Sequence, residues 1–229
     1  MDHTHSPEGK PYDERLFSDN FRGNLHNARF SWLRGQSQKF SGSVLELGCH
    51  NARSISHLAF VPNQYLGFDA DWEGGLAQAR EKYPQYEFVK SSSPSELGRT
   101  FDLALCLETI EHVSRADVRG YLRMLAKAAP VTLFSIPNEI GPVFVLKRLA
   151  HTLLRSERQF SAREFFLQSV GRTERVEQIN HKGFSYRWFL EVAAEFFVIE
   201  EVVGLPFRRL PSLSFTVAIR ARSRLFVRP

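Results

Sequence analysis

Short apolar runs alternate with longer segments of helical period through the middle of the chain: SVLELG from Ser43, then YLGFDA, YEFVKS, FDLALCLE and VTLFSIPN. That alternation predicts β-α-β units building a parallel sheet. Val118, Tyr121, Leu122 and Leu125 recur at i, i+3, i+4 and i+7 behind Ser114, which predicts a helix capped by the Ser114 hydroxyl. Phe189, Val192, Ala193 and Phe196 repeat the spacing behind Ser185. Two further runs, FFVIEEVV and LSFTVAI, read as the last two strands, closing a parallel series with an antiparallel element. Ahead of the sheet, Leu16, Phe17, Phe21, Leu25, Phe30 and Trp32 are spread among charged and amide residues, the pattern of one or two amphipathic helices placed to cap a pocket. No internal repeat or low-complexity segment interrupts the pattern.

Composition narrows this picture only a little. With 229 residues the chain fits one compact domain with a short appended segment, and its 43% hydrophobic and 24% charged residues are globular values. No segment has signal-peptide character or the length to span a bilayer, so the cytoplasm is the expected compartment. The two cysteines, Cys49 and Cys106, lack partners at metal-knuckle spacing and read as reduced packing thiols. A net charge of +5 does not by itself indicate nucleic acid, although the basic excess is concentrated late in the chain.

The chemistry lies where strands end. In VLELGCHNARS an acidic residue, a glycine and a tight turn lead from strand toward helix, which puts a ligand at the carboxyl edge of the sheet. Glu46 could hold a ligand ammonium group, directly or through water, and Gly48 would let the backbone approach closely. The turn is equally that of an ordinary strand-to-helix connection. About twenty residues on, the second strand ends at Asp69, the distance at which a carboxylate reaches ribose hydroxyls in doubly wound folds. Helix capping is the plain structural reading of Asp69, but Asp71 is better placed for that. The turn lacks the Gly-x-Gly-x-x-Gly spacing of a pyrophosphate site, which speaks against a dehydrogenase.

Taken together, VLELGC, YLGFDAD, FDLALCLETIEHV and VTLFSIPN resemble the class I S-adenosylmethionine-dependent methyltransferases over about residues 40 to 220. Within them the sequence looks most like the ubiquinone-biosynthesis O-methyltransferases and the type 11 and type 23 methyltransferase domains. The resemblance implies a Rossmann-like, seven-stranded α/β sheet, mostly parallel with an antiparallel last strand and helices on both faces. It also implies a division into a helical cap (1–40), a cofactor-binding core (41–138), a helical insertion (139–180) and a C-terminal completion of the sheet (181–229).

By the same resemblance Glu46 and Gly48, with Cys49 beside them, would meet the methionine moiety of S-adenosylmethionine and Asp69 the ribose. Phe68 with Ser91 or Ser92 would surround the adenine, and Cys106 and Leu107 would flank the methionine side, unless those two side chains only pack the strand. Glu111 and His112 would lie next to the sulfonium and the acceptor. His112 is then the first choice of general base and His181, in NHKGFS, the second; loop shaping and helix entry are the structural alternatives. Glu108, Glu111 and His112 form the Glu-x-x-Glu-His string that in the ubiquinone enzymes is associated with a divalent metal such as Mg2+, able to acidify a hydroxyl.

Two positions depart from the pattern, because His50 and Ala52 stand where the family's glycine-rich turn usually has small residues. His50 could narrow the site, donate to the cofactor carboxylate or point to solvent; we expect solvent. Arg53 is read as a carboxylate partner or a surface charge. Between SIPN and NHKGFS, Leu146, Leu149, Ala150 and Leu153 follow helical spacing beside Lys147, Arg148 and Arg155, a basic amphipathic helix that suits a lid, peripheral contact of segment 143–155 with the inner face of a membrane, or packing on the domain.

The expected activity is methyl transfer to a small-molecule acceptor, at a hydroxyl of a phenolic or quinone precursor, a sugar or a natural product. No DNA partner is expected, since the Pro-Pro-aromatic signature of amino-methylating nucleic-acid enzymes is missing after the fourth strand. An RNA methyltransferase and a non-catalytic binding protein of the same fold are the alternatives.

Overall fold

The sheet of the computed structural model follows the apolar runs. The structure describes residues 21–93, 97–154, 160–178 and 181–227. Leu16 and Phe17 of the predicted cap, and Arg155 of the predicted basic helix, lie outside these residues.

Seven strands, β1 (Ser43–Leu47), β2 (Gln64–Asp69), β3 (Glu87–Lys90), β4 (Leu103–Leu107), β5 (Val131–Pro137), β6 (Phe197–Leu205) and β7 (Thr216–Ser223), form one sheet in the order β3-β2-β1-β4-β5-β7-β6. The first five run parallel, and β7 enters antiparallel between β5 and β6. The order reverses between β2-β1 and β4, so the carboxyl ends of β1, β2 and β4 frame a crevice of the kind in which ligands bind in open α/β sheets.

The helices are α1 (Phe21–Ser37), α2 (Gly75–Lys82), α3 (Arg115–Ala128), α4 (Gly141–Leu154), α5 (Ala162–Ser169) and α6 (Tyr186–Ala193). The Ser114 hydroxyl caps α3, accepting from the Asp117 N–H at 3.3 Å. Ser185 precedes α6 without making a side-chain cap bond. All four periodic positions of each helix pattern, Val118 to Leu125 and Phe189 to Phe196, are buried. On this face Phe134 of β5 meets Phe189 and Phe197 at ring separations of 5.2 and 5.6 Å.

The first crossover differs from expectation. After β1 the chain forms a short 3-10 helix, Arg53–His57, where a full α-helix was predicted. Its composition explains this: Ser54, Ile55, Ser56 and His57 are poor helix formers, and the Ser54 hydroxyl is drawn away to Glu46. The N-terminal helix fills the vacated face. α1 packs on the 3-10 helix and reaches β6 and β7, burying Phe30, Trp32 and Leu33, and Gln36 donates to Glu201 at 2.6 Å. No helix among the described residues is long and apolar enough to cross a membrane.

Candidate functional site

The turn after β1 is bound to the strand beside it: the Gly48 and Cys49 N–H groups both donate to the Phe68 carbonyl, at 2.7 and 3.1 Å. Gly48 has φ +73°, and a Cβ there would collide with the Thr109 side chain, so the loop after β4 requires the glycine. His50 and Ala52 have φ of +44° and +56°. The loop therefore keeps a left-handed path at both positions, at a cost of about 1–2 kcal/mol for each side chain.

His50 does not point to solvent, contrary to expectation. Its ring lies against Gly75 at the start of α2, and Nε2 stands 3.8 Å from Glu73. Its backbone N–H donates to Asp69 at 2.8 Å, while the other Asp69 oxygen accepts from the Asp71 N–H at 2.6 Å. Asp69 is thus oriented by the loop it faces, and Asp71 takes the capping role by accepting from the Leu76 N–H. Ser91 donates its N–H to the Asp69 carbonyl at 2.8 Å, which brings the end of β3 alongside, and Ser92 is exposed next to it.

Glu46 is buried beneath α1, where the Ser54 and Tyr65 hydroxyls both donate to one carboxylate oxygen. Burial outweighs these bonds and pushes its pKa up to about 7. Cys49 lines the cleft with its thiol turned toward Gly67, whereas Cys106 is fully buried in the core beneath α3. Leu107 and Glu108 complete one wall of an open cleft whose other walls include Glu46, Gly48, His50, Asn51 and Arg53. Phe68 is buried in the core beside it. Arg29 and Phe30 of α1 also line this cleft, and the Arg29 charge opposes the burial of Glu46, Glu108 and Glu111. The sequence marked Phe30 as an apolar position of a segment able to cap a pocket, whereas Arg29 did not stand out there.

Because the Glu46 pKa in the folded chain exceeds its ordinary value of 4.5, the folded state holds the extra proton between about pH 4.5 and 7. The stability this contributes is fully present below the lower value and is lost as pH rises through the upper one. Glu46→Gln, a neutral isostere that still accepts from Ser54 and Tyr65, is expected to gain on the wild type as pH rises, by at most about 3 kcal/mol. Urea unfolding at about pH 5 and about pH 8 measures the gap; an equal gap at both would contradict it.

A second cluster adjoins the cleft at Glu108. Glu111 (0% exposed), His112 and His181 place one ligand atom each within 4.8 Å of one another, and the two imidazole rings meet edge to face at 4.7 Å. Both Glu111 oxygens, Glu108 Oε1 and His181 Nδ1 are buried with no hydrogen-bond partner. Burial, and then the Glu108 charge, push the Glu111 carboxyl well above its ordinary range, and burial raises Glu108 too. Burial lowers His112 and His181 to about 4 each, helped by their neighbours: His181 beside His112, and Lys147 and Arg148 beside His181. Both imidazoles are therefore neutral near pH 7, with lone pairs to offer. Glu108 has φ +51°, a strained backbone held at the point where cleft and cluster join.

No protein-family model matches the sequence, and a search of curated proteins finds no match. Solved structures do match. An S-adenosylmethionine-dependent methyltransferase from Clostridium acetobutylicum superposes with a TM-score of 0.63 at 12% identity, over 93% of this chain and 96% of that one. The N-methyltransferase NodS from Bradyrhizobium japonicum, in complex with S-adenosyl-L-homocysteine, gives 0.61 at 13% identity over 93% of each chain. The chain has the class I methyltransferase fold. The small RNA methyltransferase HEN1 gives 0.65 at 16% identity, over 94% of this chain and 27% of that one. In this fold the cleft walled by the β1 turn, Leu107 and Glu108 lies at the carboxyl edge of the sheet, with the carboxylate-imidazole cluster beside it.

Proposed function

We propose that the protein is an S-adenosylmethionine-dependent methyltransferase acting on a hydroxyl oxygen, with a divalent cation held by Glu111, His112 and His181 and with Glu108 beside them. The observation that carries this reading is the position of Glu108, which lines the cleft and also leaves a buried, unpartnered oxygen beside the similarly unpartnered Glu111 and His181. Buried groups with open lone pairs are expensive unless something satisfies them, and the donor set suits a cation. Magnesium favours oxygen donors, so two imidazoles beside two carboxylates extend the fit to Mn2+, Co2+, Fe2+ or Zn2+. Such a cation, when bound, makes a neighbouring hydroxyl more acidic.

The rest is positioning. Methyl transfer from a sulfonium needs an aligned acceptor and removal of its proton more than covalent help from the protein. Asp69, fixed by two backbone N–H groups, offers its remaining lone pairs to ribose hydroxyls. The β1 turn, Leu107 and the α1 wall hold the amino-acid end, and the neutral rings of His112 and His181 border the acceptor. The Glu108-x-x-Glu111-His112 string supports the narrower likeness to ubiquinone-type O-methyltransferases. A small-molecule acceptor is preferred to RNA or DNA because the cluster is enclosed on the protein side, with Glu111 fully buried.

Isothermal titration with S-adenosylhomocysteine, with and without Mn2+ or Mg2+, tests the reading. Saturable binding of both cofactor product and metal is expected. Failure to bind S-adenosylhomocysteine under any condition would leave a non-catalytic protein of this fold, and salt-sensitive RNA shifts in a mobility assay would favour the nucleic-acid alternative.

A further inference from the structure

Most of the large apolar side chains left exposed among the described residues fall on three segments packed side by side. Leu146 and Leu149 on α4, Phe166 on α5 and Val170 just after it, and Phe207 and Leu210 in the β6–β7 connection are each 51–63% exposed. α4 touches both α5 and the 3-10 turn Pro211–Leu213 that follows Leu210.

The other faces of α4 are already committed. Phe144 is buried against Phe160 and Phe165 at ring separations of 5.3 and 5.4 Å, and Lys147 donates to the Asn138 carbonyl and to Glu139 at 3.0 and 3.1 Å. Leu146 and Leu149, three apart, share the outward face. The strand register fixes where this surface lies. Pro137 at the end of β5 and Leu205 at the end of β6 both pair with Thr216 at the start of β7, so all three segments leave the sheet at its carboxyl edge, the edge that carries the cleft.

The charge around the apolar positions is basic. Arg163 and Arg172 are exposed on either side of Phe166 and Val170, and Arg208 and Arg209 are exposed between Phe207 and Leu210, with Arg208 also reaching Glu201 at 3.4 Å. We infer that this face docks on an anionic lipid bilayer, its leucines and phenylalanines entering the interface and its arginines meeting the headgroups. A second copy of the chain is the poorer occupant, because a two-fold contact would set the same arginines against one another. An acceptor carried on that bilayer would meet the cleft from the same edge; that consequence rests on the methyl-transfer reading, whereas the docking does not.

Co-sedimentation of the full chain with phosphatidylcholine vesicles, with and without phosphatidylglycerol, tests the inference. Wild type is expected to partition onto the anionic vesicles. The double substitution Leu146→Glu and Leu149→Glu is expected to weaken partitioning about tenfold or more, and Arg208→Gln with Arg209→Gln about fivefold for each charge removed. All four positions are exposed, so unchanged melting and unchanged S-adenosylhomocysteine affinity in these variants would confirm an intact fold. No partitioning by the wild type, partitioning that the leucine substitutions leave unaltered, or a dimer abolished by them without vesicle binding would each overturn the docking. Normal cofactor binding in the same samples would then leave the methyl-transfer reading standing.

Discussion

Glu111→Gln is expected to abolish metal-dependent stabilisation while making the metal-free protein more stable. A cation present at about a hundred times its Kd adds about 2.7 kcal/mol to the folded state, a rise in Tm of several degrees for a chain of this size. Glutamine keeps the volume of Glu111 but removes the negative charge that a cation needs, so Mn2+ affinity should fall by about 100-fold or more. Without metal the change runs the other way. Glu111 is buried, has two unpartnered oxygens and repels Glu108, so the folded chain must either ionise it at a cost or take up a proton, and an amide removes that cost. Calorimetric melts with and without Mn2+ give both halves. A variant that loses stability in the absence of metal and still responds fully to it would remove Glu111 from the ligand set. S-adenosylhomocysteine affinity should stay within a factor of about two, because Glu111 does not line the cleft.

Asp69→Ala is expected to weaken S-adenosylhomocysteine binding by about 100-fold or more. A hydrogen bond to a charged group contributes about 1.5–3 kcal/mol, and a ribose offers two hydroxyls. Removing the carboxylate also releases the His50 and Asp71 N–H groups that it holds, loosening the turn around the amino-acid end of the ligand. Asp69→Asn keeps one acceptor oxygen and should fall between wild type and alanine. If alanine lowers Tm but leaves affinity intact, Asp69 serves only to anchor the loop.

The parallel core was legible because burial writes itself into sequence as short apolar runs, and Asp69 because its distance from the turn is set by one crossover. Glu111, His112 and His181 were also legible as candidates, but their mutual packing was not. Spacing along a chain carries no information on desolvation, and it is enclosure among buried residues that lowers both imidazoles. His50 was misread for a related reason: its packing partner, Gly75, belongs to another element. The missing helix after β1 had a local signal in the Ser-rich segment 53–57, outweighed by the strand-to-helix pattern around it. Arg29 had none, since an arginine on an amphipathic helix looks like any solvated charge until the helix is docked.

That docking ties the beginning of the chain to its end. α1 supplies Arg29 and Phe30 to the cleft, yet part of its seat is made by β6 and β7, through contacts such as Gln36 with Glu201 and with Arg220. A chain still emerging from the ribosome can pair β1 with β2 and β4 and set α1 on the 3-10 helix, but the rest of that helix's seat waits for the final strands. The cleft wall that α1 supplies is therefore completed late in synthesis, and a chain stopped before β7 would carry the β1 turn with that wall only partly seated.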